Sequence, residues 1–341
     1  MSRAAFFPVL EAVQSGAMLD ADTSAAAFEL IMSGAVAEGD LSDFLLALAE
    51  RRPAVPEIAG AVRVMRARMT SIDAPEGAVD LCGTGGDGQG TFNISTAVSF
   101  VVAASGVPVA KHGNRNMSSR TGAADVLEAL GAKIDLAPEA AARCLNDTGL
   151  CFLFAQTYHP AMKHVAAVRK QLGIRTIFNL LGPLSNPARV RRQLVGVYAR
   201  EWVRPVAEVL RELGAEKAWV VHGSDGLDEI TTTNTTHVAV LENGGITETE
   251  IAPEDAGLPR ALPTALKGGM ADDNAAALSA LLRGAPGAYR DIVLLNAAAV
   301  LVIAGKAKNL ADGVNQGADT IDSGRAANTL AAFVAATQAA S

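Results

Sequence analysis

Apolar positions recur every three or four residues through the first part of the chain, in stretches such as AAAFELIMSGAVA (25–37) and LSDFLLALAERR (41–52). That period is one face of an α-helix. Residues 1 to about 71 are therefore expected to be helical, punctuated by Gly34 and Gly39, with Pro53 and Pro56 opening a further helix. The period changes at Ala78. From there short apolar runs, AVDLC, VPVAK, LCFLF, RQLVGVY and KAWVVHG, are separated by helical patterns such as STAVSFVVAAS, AADVLEAL and REWVRPVAEVLREL. Buried strands alternating with helices predict an α/β fold whose mostly parallel sheet is covered on both faces. THVAVLENGGITETEI breaks the rhythm and reads as two strands joined at Gly244-Gly245, a hairpin near the sheet edge. From Ala271 onward the pattern is helical again. Its longest apolar run, IVLLNAAAVLVIAG (292–305), contains Asn296 and is too short to span a bilayer, so it is expected to be a buried helix and not a membrane segment.

Composition narrows the class. Hydrophobic residues make up 50% and charged residues 19%, which excludes a disordered chain. The net charge of -7 opposes a nucleic-acid-binding role, which requires a basic face, and any anionic substrate would need a local basic site. The three cysteines, Cys82, Cys144 and Cys151, form no C-x-x-C pair and suit a reducing cytosol. MSRAAFFPVLEAVQSG lacks the apolar region and cleavage site of a signal peptide, so cytoplasmic residence is expected.

The chemistry concentrates in four stretches. DLCGTGGDGQGTFNIST (80–96) carries five glycines behind a strand. Gly83, Gly85 and Gly88 match G-x-G-x-x-G, but the loop runs on through Gln89, Gly90 and Thr91, and Lys111 rather than an acid ends the next strand. Thr91-Phe92 after Gly90 also breaks the P-loop pattern. What remains is an anion site made of bare backbone N–H groups and a helix start near Asn93 to Ser95, or a tight strand–helix turn capped by Asn93 or Ser95. KHGNRNMSS follows the adjacent strand with Lys111, His112, Asn114, Arg115, Ser118 and Ser119, and in a parallel sheet such loops converge on one crevice able to hold a polyphosphate. HGSDGLDEI offers the adjacent carboxylates Asp228 and Glu229, hard oxygen donors that suit Mg2+, with an exposed acidic turn as the alternative. HVAAVRKQLGIRTIFNLLGPLSNP adds His164, Arg169, Lys170 and Arg175, and an arginine there can hold a carboxylate in a bidentate fork.

Together, DLCGTGGDGQGTFNIST, KHGNRNMSSRTGAADVLEALG, VRKQLGIRTIFNLLGPLSNP and HGSDGLDE resemble the anthranilate phosphoribosyltransferase family, in order and over essentially the whole chain. The resemblance implies a nucleoside phosphorylase/phosphoribosyltransferase-like fold, with a small helical domain (1–71, with 160–182 inserted from mid-chain) and a large α/β domain (72–159 and 183–341). It implies a Mg2+-dependent transfer of the phosphoribosyl group of phosphoribosyl diphosphate to the amine of anthranilate, in tryptophan biosynthesis, by a homodimer joined through the helical domain. Phosphoribosyl diphosphate would be bound by Gly83, Thr84, Gly86, Asp87, Thr91, Asn93, Ile94, Ser95 and Thr96 of the first loop. From the second it would meet Lys111, His112, Gly113, Asn114, Arg115, Asn116, Met117, Ser118 and Ser119, with Ala123 beyond them. Gly83, Asn114 and Arg169 would contact anthranilate. Ser95 would bind one Mg2+, and Asp228 and Glu229 a second.

No strong general base is implied, since an aryl amine is already nucleophilic, and His112 is assigned no acid–base role. Ala123 stands where the family often has serine, which removes one hydroxyl contact to phosphate and predicts a modest loss of affinity. Two alternatives share features of the pattern: a pyrimidine nucleoside phosphorylase-like enzyme, whose phosphate loops are richer in lysine and serine, and a non-catalytic nucleic-acid-binding relative. Hinges near 71–78 and 184–189 are expected to carry Arg169 toward the phosphate loops.

Overall fold

The computed structural model describes residues 3–115 and 121–339. The expected site residues Asn116, Met117, Ser118 and Ser119 lie outside the described residues. The N-terminal part forms α1 (Arg3–Gln14), α2 (Ala21–Met32), α3 (Glu38–Arg51) and α4 (Val55–Arg68). Asp20 starts α2 by accepting the Thr23 N–H at 2.7 Å, and a proline in the first turn starts α4. The helical pattern of 25–37 stops early, at Met32, because Gly34 takes φ +74° and turns the chain. Glu57 is buried and accepts the Leu19 and Ala54 N–H groups at 2.9 and 2.7 Å while pairing with Arg51. Phe28 packs edge-on against Phe44 and Phe178, with ring centroids 6.1 and 5.7 Å apart. Phe178 comes from mid-chain, so a later helical segment completes this core.

The sheet has seven strands: β1 (Val79–Gly83), β2 (Val109–Gly113), β3 (Leu150–Phe154), β4 (Arg192–Gly196), β5 (Lys217–Gly223), β6 (Thr236–Glu242) and β7 (Gly245–Ile251). Their order is β3-β2-β1-β4-β5-β6-β7, parallel from β3 to β5 and antiparallel through β6 and β7. Each apolar run read as a strand is one. The hairpin turn differs by one residue: Asn243 and Gly244 take φ 52° and 75°, and Gly245 already pairs with Glu242. Two central residues at positive φ match the right-handed twist of the flanking strands.

The connecting helices are α5 (Ile94–Ala104), α6 (Ala123–Ala129), α7 (Pro138–Thr148), α8 (Ala155–Tyr158), α9 (Lys163–Leu172), α10 (Phe178–Leu184) and α11 (Val203–Glu212). After the hairpin come α12 (Ala271–Leu282), α13 (Ala288–Ile303), α14 (Leu310–Asp322) and α15 (Arg325–Ala339). One apolar core joins β1–β3 to α5, α7 and α12–α15. The other joins α1–α4, α9, α10 and α11 to one face of β4–β6. Among the described residues no helix is long and apolar enough to cross a membrane.

Where the helical segments meet the sheet, His112 at the end of β2 and His159 after α8 face each other, Nε2 to Nε2, at 3.2 Å. His112 Nδ1 lies 3.1 Å from Gly182 O in α10. Each is only 5% exposed, and burial draws His112 down to about 3 and His159 to about 4. Both are neutral in the folded chain, whereas the unfolded chain takes up protons below the ordinary value of 6.5. Their contribution to stability is fully present above pH 6.5 and is lost as the pH falls toward about 4.

Two stability measurements follow from this packing. Urea unfolding at pH 6.5 and 4.5 is expected to show His159→Gln losing about 2 kcal/mol less than wild type across that interval; equal losses would mean the histidines do not titrate on unfolding. Gly60, in α4, has no room for a methyl group: a Cβ there would lie 2.3 Å from Ala21 O and 2.8 Å from Ser24 Cβ in α2. Overpacking of about 1–3 kcal/mol outweighs the ~1 kcal/mol of helix propensity that alanine returns, so Gly60→Ala should lower the thermal midpoint, and an unchanged or raised midpoint would refute the contact.

Candidate active site

Strand order reverses between β1 and β4: the chain leaves β1 toward β2 and β3, and leaves β4 toward β5. Loops part at such a switch point and leave a crevice beyond the carboxyl ends of the strands. The glycine-rich loop leaves β1 into that crevice, and its glycines serve two different needs. Gly85, Gly86, Gly88 and Gly90 take φ 66°, 75°, 72° and 60°, and a Cβ at Gly85, Gly88 or Gly90 would meet nothing within 4 Å. Those three supply backbone conformation. Gly83, in contrast, supplies space. It pairs in register with Gly196 on β4, and a Cβ on Gly83 would lie 2.1 Å from Asp228 Oδ2, one on Gly196 1.6 Å from Asp228 O. Asp228 therefore lies directly across the two strand ends, and its Oδ2 accepts the Gly85 N–H at 2.7 Å.

The loop is fastened on both sides. Thr84 N–H donates to Gly196 O at 2.9 Å, and Thr84 Oγ1 accepts the Tyr198 N–H at 3.0 Å. Thr91 bridges Lys267, flanked by the Phe92 N–H to Leu266 O and Gly268 N–H to Gly90 O bonds, both 3.0 Å. Phe92 stacks on Tyr289 of α13, with centroids 4.4 Å apart. Arg175 reaches the Gly86 carbonyl while lying over the Tyr198 ring, 4.4 Å from its centroid. Asn93, at the start of α5, gives its amide N–H to Thr121 O at 3.2 Å and accepts from Asn274 Nδ2 at 2.9 Å. Ile94 is buried, and the Thr96 hydroxyl is buried with no partner among the described residues, so both can face a ligand only through backbone.

The second loop begins with a lysine that does not reach outward. Lys111 is 3% exposed, and its Nζ donates to Leu81 O at 2.8 Å and Ser95 Oγ at 3.1 Å. Beside it Asp80 is fully buried, accepting the Leu81 and His112 N–H groups at 2.8 and 3.0 Å. Burial raises the Asp80 carboxyl and the Lys111 charge opposes that rise. The His112 ring turns into the junction described above. A Cβ on Gly113 would meet the Phe152 ring at 2.6 Å. Asn114 is exposed and accepts the Arg115 N–H at 2.8 Å. Arg115 is held by Asp125 at 3.1 Å and by Glu128 at 2.6 Å, so its charge is balanced within its own loop and α6. Ala123 opens α6 just after Gly122.

Asp228 and Glu229 keep part of their surface open to the crevice but lie in a dense protein shell. Burial, then the Asp87 charge, holds Asp228 up at about 7; burial, then Asp228, holds Glu229 at about 8 against the pull of Lys111. The Ser95 backbone N–H faces Glu229, so hydroxyl, carboxylates and buried ammonium converge. Neighbouring desolvated carboxylates repel each other until a cation joins them, and their hard oxygens fit Mg2+. Among the described residues no three His, Cys, Asp or Glu side chains form a cage.

Arg169, in α9, is half-buried and stacks over Phe178 at 5.3 Å from the ring centroid. Burial lowers its pKa, and no carboxylate among the described residues pairs with it. Its planar fork can take a carboxylate from outside. Of the other basic residues near it, Lys170 is exposed and the His164 ring packs on Gly34. The segment 266–269, Asn274 and Asn296 all brace these loops, and none lies in a motif. Only the interruption of an apolar run by Asn296 gave a signal.

A model of the glycosyl transferase family α/β domain matches residues 75–327, and one of that family's helical bundle domain matches residues 7–69. Anthranilate phosphoribosyltransferase of Azorhizobium caulinodans is 58% identical over 334 residues, 98% of this chain and 97% of that protein. The Bradyrhizobium diazoefficiens enzyme of the same name is 57% identical over 93% of this chain and 94% of its own. The crystal structure of anthranilate phosphoribosyltransferase from Thermus thermophilus superposes with a TM-score of 0.92 at 40% identity, over 96% of this chain and 99% of that one. The Saccharomyces cerevisiae enzyme in complex with PRPP and Mg gives 0.90 at 26% identity, over 99% of both chains. With relatives this similar over nearly its whole length, and a solved structure that superposes over 96% of it, the chain belongs to the anthranilate phosphoribosyltransferase family.

Proposed function

We infer that this chain transfers the phosphoribosyl group of phosphoribosyl diphosphate to the amine of anthranilate, giving N-(5-phosphoribosyl)anthranilate and diphosphate, with Mg2+, in tryptophan biosynthesis. The observation that carries this reading is the seating of Asp228 across Gly83 and Gly196, which sets a carboxylate pair against the glycine loop. The nucleoside phosphorylase and nucleic-acid-binding readings gain no support from these relatives.

The nitrogen–carbon bond forms at the ribose anomeric carbon as the bond to diphosphate breaks. Positive charge grows on the ribose and negative charge on the leaving group, so stabilising the diphosphate is the main electrostatic task. The loop from Gly83 to Asp87 and the α5 start from Asn93 to Thr96 would line it, those backbone N–H groups not already engaged within the fold donating to its oxygens. When bound, Mg2+ neutralises the diphosphate; Asp228, Glu229 and Ser95 would hold it, with two ions per site. Lys111 holds the Ser95 hydroxyl in place from beneath. Thr84, Thr91, Lys111, His112, Gly113, Asn114, Arg115 and Ala123 would complete the phosphoribosyl diphosphate site, several of them through backbone. Arg169 would take the anthranilate carboxylate, with Asn114 and Gly83 beside the ring. The amine needs no strong base, and positioning supplies much of the rate.

Helices 1–71 and 160–182 would act as one domain, hinged near 71–78 and 184–189 and joined to a second copy. The chain would work in the cytoplasm. The apolar core that runs from α1–α4 through α9 and α10 supports grouping those segments.

The test is the loss of anthranilate fluorescence on mixing the pure protein with phosphoribosyl diphosphate, Mg2+ and anthranilate. Loss should require every component. Arg169→Ala should raise KM for anthranilate about ten- to a hundredfold, the worth of a charge-assisted hydrogen-bonded pair, and leave KM for phosphoribosyl diphosphate unchanged. No loss in the complete mixture would overturn the reaction, and an unchanged anthranilate KM would overturn the acceptor site. Gly83→Ala forces Asp228 out of its seat; a displacement of about 1 Å costs on the order of a hundredfold in kcat/KM, and wild-type turnover by that variant would show that the seat is not needed.

A further inference from the structure

α13 is deeply buried: from Ile292 to Leu301 no apolar side chain is more than 4% exposed. In its middle stands Asn296, 0% exposed. A buried amide is costly unless its donors and acceptor are taken, so its partners reveal what it is for. Asn296 Oδ1 accepts the Ile230 N–H at 3.0 Å. Asn296 Nδ2 donates to Ile230 O at 2.8 Å and to Ile292 O, one turn back, at 2.9 Å.

One side chain thus takes both backbone groups of Ile230, as a neighbouring strand would. Ile230 needs this because it lies between β5 and β6, outside either ladder. It directly follows Asp228 and Glu229. The far side of the same loop is fixed independently, by the Thr231 and Thr233 hydroxyls on Asp225. The near side presses on Gly83 and Gly196 with no space for a methyl group. Between these anchors the Asn296 clamp sets how far the carboxylate pair descends onto the strand ends.

We propose that Asn296 is a positioning residue for Asp228 and Glu229, and through them for the metal-bound diphosphate half of the substrate. This rests on the functional reading above. Asn296 touches neither substrate; it acts through the backbone of Ile230.

Calorimetric titration of the full-length protein with phosphoribosyl diphosphate in excess Mg2+ gives a readout independent of turnover. Asn296→Leu is expected to weaken that binding about tenfold or more, the usual effect of losing a residue that orients metal ligands. It should also raise the Mg2+ concentration needed for half-maximal rate, with KM for anthranilate within about twofold of wild type. Leu295→Ala, in the same helix, controls for lost packing: it should lower the thermal midpoint and leave the binding constant alone. Should the leucine variant prove insoluble, Asn296→Ala is judged by the same titration. Wild-type binding by the Asn296 variant, or equal weakening in Leu295→Ala, would overturn the proposal alone. A wild-type protein that does not bind phosphoribosyl diphosphate with Mg2+ would overturn the functional reading and this proposal with it.

Discussion

Two missing side chains make the site possible. Gly83 and Gly196 end neighbouring strands in register, and together they leave a bare surface one residue deep on which Asp228 lies. Any Cβ on either strand end would lift the carboxylate loop away from the crevice. From that contact the rest follows in order: Asp228 can accept the Gly85 N–H, the glycine loop gains a fixed neighbour, and Glu229 is brought over Ser95 and Lys111. The fold places the crevice at the switch point, but this contact turns it into a place where acids and bare amides face the same volume.

Beneath the crevice lies a layer of buried polar groups paired within the fold. Asp80 spans the backbone of β1 and β2, Lys111 spans β1 and α5, and Asn186 donates to Ala110 O at 2.8 Å. Such groups are tolerated because each has partners, and satisfied networks of this kind stiffen what they support. Buried charge in the sheet and neutral histidines at its margin share one logic. Burial raises the Asp80 carboxyl and lowers both histidines, and local hydrogen bonds fix the geometry.

Much of this was legible in the sequence for a simple reason. A strand buried on both faces is largely apolar, so the five parallel strands announce themselves, the hairpin shows in its paired runs about Gly244-Gly245, and the change of period at Ala78 marks where helices give way to sheet. The chemical loops were legible because each follows a strand, and parallel strands bring such loops to one end. What could not be read was direction. Lys111 looks like a phosphate ligand in KHGNR, but its side chain turns inward, across β1, to Leu81 O and Ser95 Oγ. Arg115 looks like another, and α6 supplies two acids that claim it. Thr96 sits in the motif, yet helical geometry carries its hydroxyl into the core. The bracing residues were silent because their partners lie far away in the chain. Thr91 meets Lys267, Asn93 meets Asn274, and Ile230 meets Asn296, and no local pattern encodes such pairings.

Those distant pairings set a timetable. Chains fold from the N-terminus as they leave the ribosome. By the time β7 has emerged at Ile251, every residue of the four motifs has been made. The stop for the glycine loop at 266–268 and the two asparagines at 274 and 296 have not. A nascent chain of that length holds all the chemistry and only part of its alignment. The enzyme is therefore completed by its last quarter, helices that carry no motif of their own.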